Sequence, residues 1–413
     1  MSPRIIILDI RNTRSIRNLR EVAAIVSPQS LGEVRTIMSE FAARTGLLGG
    51  TSSPQRYLWT DAFAVCNFLS LSEVTGDDSH IDLAIRLIDQ VHQTLGRHRE
   101  DDARSGWISG LDDEEGRLHP TAGGLRIGKR VNERPAGQAH NEPEEWDRDG
   151  QYFHYLTKWM HALARTAAVT ADAGYLRWAL ELAQAAHSAF VYAPVDGATP
   201  RMYWKMSIDL SRPLVSSMGH HDPLDALVTY SELEHCHAAH FPAAELPGLR
   251  AALIDAAAMC AGRSWVTDDP LGIGGMLADT DRMSRLQADD SAVAADMVAQ
   301  LLADARTGLH LLARVHRFDA PAEYRLAFRE LGLSIGLHAV EALHQRSKDA
   351  PGTLTRDAAT ELEALMRFVP FAESIESFWR HSANRSTATW RDHLDINSVM
   401  LGTSLLPEQF LIV

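Results

Sequence analysis

Cysteine is almost absent: Cys66, Cys236 and Cys260 are the three in 413 residues, and no two stand in the CxxC spacing of a zinc or thiol-redox site. Each lies inside an apolar stretch of helical period and reads as a small core residue. Long apolar runs are missing too. No window approaches the roughly 18 uncharged apolar residues of a spanning helix. The start, Met1 to Ile10, has an apolar stretch of only about four to six residues with Asp9 beside it, too short for a secretory core. These absences predict a cytoplasmic protein with no membrane partner. Basic runs are scarce, and the formal net charge of -14 leaves no phosphate-binding face, so nucleic acid is excluded as a partner. A neutral or weakly charged small molecule fits that balance better. Gly272, Gly274 and Gly275 are not followed by the Lys-Ser/Thr of a phosphate loop. Asp268-Asp269 and Asp289-Asp290 lack the further spaced acids of a terpene cyclase.

What is present is ordinary globular material, 45% hydrophobic and 23% charged. Residues 1–27 read as an N-terminal arm, with one short strand at Ile5–Leu8 and a solvated Arg-rich stretch. From about Leu31 the hydrophobic period is helical and stays so. Helices are expected at roughly 57–75 and 79–97, then 150–170 and 172–191, then 221–238 and 245–262. Further ones follow at about 289–304, 306–318, 321–345, 356–369, 371–382 and 390–405, roughly a dozen in all.

The first two pairs are copies at a shift of 95: Val74-Thr75-Gly76-Asp77 falls on Val169-Thr170-Ala171-Asp172, and Tyr57, Ile81 and Ala84 fall on Tyr152, Leu176 and Ala179. Gly76 suits the left-handed backbone that ends a helix, and Asp77 or Asp172 suits the cap of the next, which specifies an antiparallel hairpin. Repeated hairpins that cannot bury their own faces must stack on one another. About six of them predict an all-α fold, an (α/α)6 toroid over residues 28–413. The connections at about 98–149, 192–220 and 263–288 are long and rich in Gly, Pro, Trp and acids, and they alternate with the hairpins, so they should gather at one end as a mouth.

Tyr57-Leu58-Trp59-Thr60-Asp61-Ala62-Phe63-Ala64, followed by Ser72 to Asp77 and Leu83-Ala84, resembles the hairpin pattern of the six-hairpin glycosidase superfamily, nearest to its N-acylglucosamine 2-epimerase-like branch. The resemblance implies a funnel in which inner helices begin at the mouth and the loops between hairpins bind sugars through aromatic and carboxylate side chains. It is one of fold and assigns no catalytic residue.

Candidate site residues cluster at the expected mouth. The acidic run Asn141 to Tyr152 sets Asp147 and Asp149 just ahead of an inner helix; it also reads as capping and dipole compensation. Ser217 to Pro223 opens the third inner helix with His220, His221 and Asp222, where Asp222 and Pro223 suit the first turn. No third spaced ligand accompanies them, so no metal and no other cofactor is expected. His235, Cys236, His237 and His240 fall on different helix faces and read as structural. Arg56, Tyr57, Trp59 and Asp61 form a possible recognition wall, with Trp59 at the copy position of His154. Tyr152, Tyr203, Trp204, Asp268 and Asp269 complete the substrate-binding set. Two carboxylates whose surroundings push their pKa values apart can hydrolyse a glycoside, which makes Asp149 and Asp222 the leading pair. The rival expectations are an epimerase or isomerase with His221 as base, and a non-catalytic toroid. In each case the partner is a small molecule, a saccharide for the enzymes.

Overall fold

The computed structural model describes residues 27–49, 54–194, 197, 199–286, 292–407 and 409–413. The arm with its expected strand lies outside the described residues, apart from Ser27. The long helices are α1 (Pro28–Arg44), α2 (Leu58–Thr75), α3 (Ser79–Leu95), α4 (Phe153–Thr170), α5 (Ala173–Phe190), α6 (Asp222–His240), α7 (Arg250–Cys260), α8 (Pro270–Leu286), α9 (Ala292–Val315), α10 (Ala327–Asp349), α11 (Arg356–Leu365), α12 (Pro370–Arg380) and α13 (Leu394–Ser404).

Six of these, α2, α4, α6, α8, α10 and α13, pack each on the next, and α13 returns to α2, so the inner ring closes. Helices α3, α5, α7, α9 and the α11–α12 pair back the first five from outside. The sixth inner helix is backed by α1, so the chain's first described helix completes the sector that its last long helix begins. The resulting (α/α)6 toroid differs from the sequence expectation in two places. Residues 263–288, expected as a long connection, contain inner helix α8, and the two helices expected over 289–318 are the single helix α9. Gly272, Gly274 and Gly275 had suggested a loop; here they lie within α8, where Gly274 permits a close approach to α10.

The two layers differ in composition for a physical reason. An outer helix has a wet side, so α3 buries the stripe Ala84, Leu87, Ile88, Val91 and Leu95. An inner helix is enclosed by the ring and its outer partner, and α2 is buried at every position from Leu58 to Ser72. The duplicated turn is the same turn: Gly76 ends α2 at φ 70° and Ala171 follows α4 at φ 55°, both left-handed. Asp77 and Asp172 accept the backbone N–H two residues on, from Ser79 at 3.1 Å and Gly174 at 2.8 Å. Alanine tolerates that backbone at a cost of about 1–2 kcal/mol.

Hydrogen bonds lock the closing seam, where the Asn67 amide donates to Val399 O at 3.1 Å and accepts from Thr403 Oγ1 at 3.0 Å. The interior of the ring is filled below the mouth by the turn Gln409–Leu411. Phe410 stacks on Phe63 with centroids 4.4 Å apart, and its carbonyl accepts from His161 Nε2 at 2.7 Å. Glycine sets the distance between α8 and α10: a Cβ on Gly274 would collide with the carbonyl oxygen of Gly332, and one on Gly336 would meet Gly274 O at 2.5 Å. Gly274→Ala is therefore expected to lower the unfolding free energy by about 1–3 kcal/mol, seen as a lower urea midpoint.

Candidate functional site

All six inner helices begin at the end where the connections 45–57, 96–152, 191–221, 261–269, 316–326 and 381–393 emerge. Three short antiparallel strands brace the largest of these, Gln151–Tyr152 pairing with Lys205–Met206 and that with Pro213–Val215. The pairing of Tyr152 with Lys205 sets Trp204 against Tyr152, ring on ring, 4.9 Å apart and 11° from parallel. Tyr152 stacks in turn on His154 at 5.5 Å. Tyr155 meets Tyr152, His154 and Trp59 at 5.2, 4.9 and 5.3 Å, and its hydroxyl lies 2.7 Å from that of Tyr57. Helices α2 and α4 thus deliver one aromatic wall, and the expected copies Trp59 and His154 face each other at 6.0 Å. The Trp59 indole N–H and the Tyr152 hydroxyl are buried without a hydrogen-bond partner. Unused buried donors of this kind call for an explanation beyond folding.

His154 is the group on this wall that can move a proton. About 30% of its side chain is exposed, and its Nδ1 lies 3.6 Å from Asp222 Oδ1 at the first turn of α6. Burial, helped by the nearby Lys158 ammonium, holds the imidazole neutral down to about pH 3. Burial also pushes the Asp222 carboxyl well above its usual range, and the neighbouring Asp225 carboxylate adds to the push. Its Oδ2 has no hydrogen-bond partner, and Gly219 passes so close that a Cβ there would strike the carboxyl. A neutral base thus lies beside a buried acid whose proton is held more tightly than usual.

Beneath this pair runs a column of buried charge. Lys158 donates to Asp225 at 2.8 Å, and Arg282 donates to Asp279 at 2.8 Å and grips both oxygens of Glu232. Glu232 Oε2 lies 2.8 Å from His161 Nδ1, which links the column to the floor at Phe410. Burial beside Asp225 raises the Asp279 pKa to about 6 against the pull of Lys158 and Arg282.

The other expected site residues are placed as follows. Asp149 lies just ahead of α4, but its carboxylate is wholly buried: it accepts from Arg126 at 2.9 Å, Arg99 at 3.3 Å and the backbone N–H groups of Gly128 and Gly150 at 3.0 and 3.1 Å. It ties the long first connection together and has no oxygen left for a substrate. Arg56 and Asp61 are buried under the wall 3.5 Å apart, with Asp61 accepting from Tyr57 N at 3.0 Å. His221 has Nε2 3.1 Å from Trp265 O and its ring stacked on Trp265. His220 is exposed beside it. Asp269 caps α8 through Gly272 N at 3.0 Å and pairs with Arg329 at 2.5 Å, while Asp268 is exposed. Tyr203 stacks on Tyr192 at 4.5 Å. Tyr57, Trp59, Tyr152, His154, Trp204 and Asp222 converge; His220, His221 and Asp269 form a second group around Trp265.

Sequence reasoning missed Tyr155, Lys158, Asp225 and Arg282. Asp222 and Asp225 sit at i and i+3, a spacing that puts both on one helix face, so Asp225 had a signal. Arg282 had none, because its segment read as loop. Among the described residues no three His, Cys, Asp or Glu side chains gather as a metal site, and no helix is long and apolar enough to cross a membrane.

No protein-family model matches the sequence, and a search of curated proteins gave no match. Among solved structures, the chain is similar to an alpha-1,6-mannanase of Salegentibacter sp. at 12% identity and TM-score 0.50, covering 91% of this chain and 98% of that one. A variant of that enzyme, inactive through two aspartate replacements and in complex with alpha-1,6-mannotetrose, matches with the same identity, coverage and TM-score. A cellobiose 2-epimerase from Spirochaeta thermophila matches at 11% identity and TM-score 0.43, over 83% of this chain and 98% of that one. At such identities the likeness to the mannanase is one of fold, the (α/α)6 toroid of the six-hairpin glycosidases.

Proposed function

We propose that this chain is a carbohydrate-active enzyme that moves a proton with His154, in the manner of a sugar epimerase or isomerase. The observation that carries the reading is a partly exposed imidazole, kept neutral, whose Nδ1 lies 3.6 Å from the buried acid Asp222. A neutral imidazole can take a proton from a carbon next to a sugar carbonyl, and inversion at that carbon is completed when a second group returns a proton to the other face. The partly exposed rings of Tyr57, Tyr155 and Trp204 supply edges and faces for a sugar ring, over the buried Trp59 and Tyr152. The similar mannanase variant holds a mannotetrose, which agrees with a saccharide ligand for this fold. The pair expected from sequence, Asp149 with Asp222, is set aside because Asp149 is fully engaged; the base moves from His221 to His154.

One observation favours a second reading. Burial raises the Asp222 pKa, the direction a glycosidase's acid requires, and such an enzyme would protonate a leaving oxygen once Gly219 withdrew from the carboxyl. Incubation with cellobiose and with alpha-1,6-mannobiose in deuterium oxide separates the two. Deuterium appearing on a sugar carbon of the intact disaccharide is the expected result. Release of monosaccharide without such label assigns hydrolysis instead, and a full panel of saccharides neither labelled nor cleaved overturns the carbohydrate reading.

A further inference from the structure

A cavity of about 230 Å³ lies on the rim of the mouth, outside the proton-transfer site. Two indoles form its walls: Trp146, on the short helix Glu142–Asp147 and 52% exposed, and Trp204, with centroids 5.4 Å apart and planes at 47°. That gap is too narrow to hold a ring between them, but the open notch offers an indole face on which a flat apolar ring can lie. Its edges carry His140, Glu142 and Ser217, with Val215 at the side. Glu145 behind it is already neutralised by Arg134 and Lys205, at 2.9 Å each. The other polar groups lining it are a carboxylate, an imidazole and a hydroxyl, which bond sugar hydroxyls, and of these the Glu142 carboxylate disfavours an anionic ring. The cavity is not isolated: the back of Trp204 stacks on Tyr152, and Tyr152 on His154. The stacked rings join the rim to His154 as one packed wall, and the notch at the rim, of about 230 Å³, suits about one sugar ring rather than a larger ligand.

We infer that this notch is an outer subsite for an uncharged sugar residue, so that the protein's substrate is a neutral oligosaccharide reaching from His154 to Trp146 rather than a single sugar. The inference rests on the carbohydrate reading above. It assigns specificity for length to the connection between α3 and α4, with Trp146 as the residue that stacks on the terminal ring.

The test is titration of the full chain with alpha-1,6-linked manno-oligosaccharides and beta-1,4-linked gluco-oligosaccharides of one to four units, followed by calorimetry, for the wild type, Trp146→Ala and Trp146→Phe. Affinity should rise with chain length in one series, and Trp146→Ala should remove about 3- to 10-fold for the longer members only. Trp146→Phe, which keeps an aromatic face, should restore most of it. Affinity independent of length, or an equal loss at every length in Trp146→Ala, overturns the subsite while leaving the carbohydrate reading standing. A wild type that binds no member of either series overturns both.

Discussion

His154→Gln should lower turnover on the saccharide that labels or cleaves by about 10²- to 10⁴-fold, with binding changed little. Glutamine fills similar space and keeps hydrogen-bonding atoms, yet has no basic nitrogen, so what is lost is the proton transfer and not the wall. The imidazole is partly exposed and touches its neighbours mainly through ring faces, so the variant should fold, which circular dichroism checks. The pH profile carries a second, independent sign. Because burial and Lys158 hold the His154 pKa down near 3, the base is ready throughout the neutral range, and kcat/KM should stay level on the acid side until that region is approached. A profile falling with an ordinary histidine midpoint of about 6.5 would remove His154 from the role. Asp222 does not need to touch the substrate in this scheme. Asp222→Asn, close in size but unable to ionise or pass a proton, should reduce kcat with little change in KM, whereas a merely structural role would show as a lower urea midpoint with kcat kept.

Arg282→Met should be the most destabilising single change here, at about 3–5 kcal/mol. The guanidinium is fully enclosed and is shared between Glu232 and Asp279, so its removal strands two buried carboxylates among α6 and α8. Two measurements separate this cause from a simple loss of packing. Adding Glu232→Gln should recover part of the loss, since the double variant buries one charge fewer. The variant should also gain stability relative to wild type as pH falls. In the native protein Arg282 and His161 hold the Glu232 pKa below its usual range, so that pair contributes stability above about pH 4 and loses it as the carboxylate protonates. Without the arginine the folded-state pKa values rise, and the penalty fades once acid neutralises the stranded groups. A urea midpoint deficit that is equal at pH 7 and pH 5 would point to packing alone.

Much of the toroid was legible from local signals. The duplicated turn at Gly76 and Ala171, the apolar stripe of α3 and the capping Asp172 are each fixed by residues within a few positions of one another, and local backbone preference acts over that distance. Helix α8 was not legible for the opposite reason. Its glycines weaken helix propensity, and one of them, Gly274, is required by the close approach of α10, a fact about a partner some sixty residues away. The candidate site divides along the same line. Tyr57, Trp59, Tyr152 and His154 stand at helix starts that the repeat makes visible, so their shared wall could be anticipated. Whether a carboxylate is free or engaged could not. Asp149 and Asp222 look alike in sequence, each an acid just ahead of or at the start of an inner helix, but Arg99 and Arg126 reach back to the first and no cation reaches the second.

By itself, then, the chain's periodicity settled that hairpins form, where most of them turn, and that the aromatic and acidic connections belong together at one end. Only the closed ring decided which acid is engaged and which has its pKa raised, and which imidazole meets the solvent, because pKa and access depend on burial and on charges brought in by other helices, and no single stretch of sequence carries either quantity.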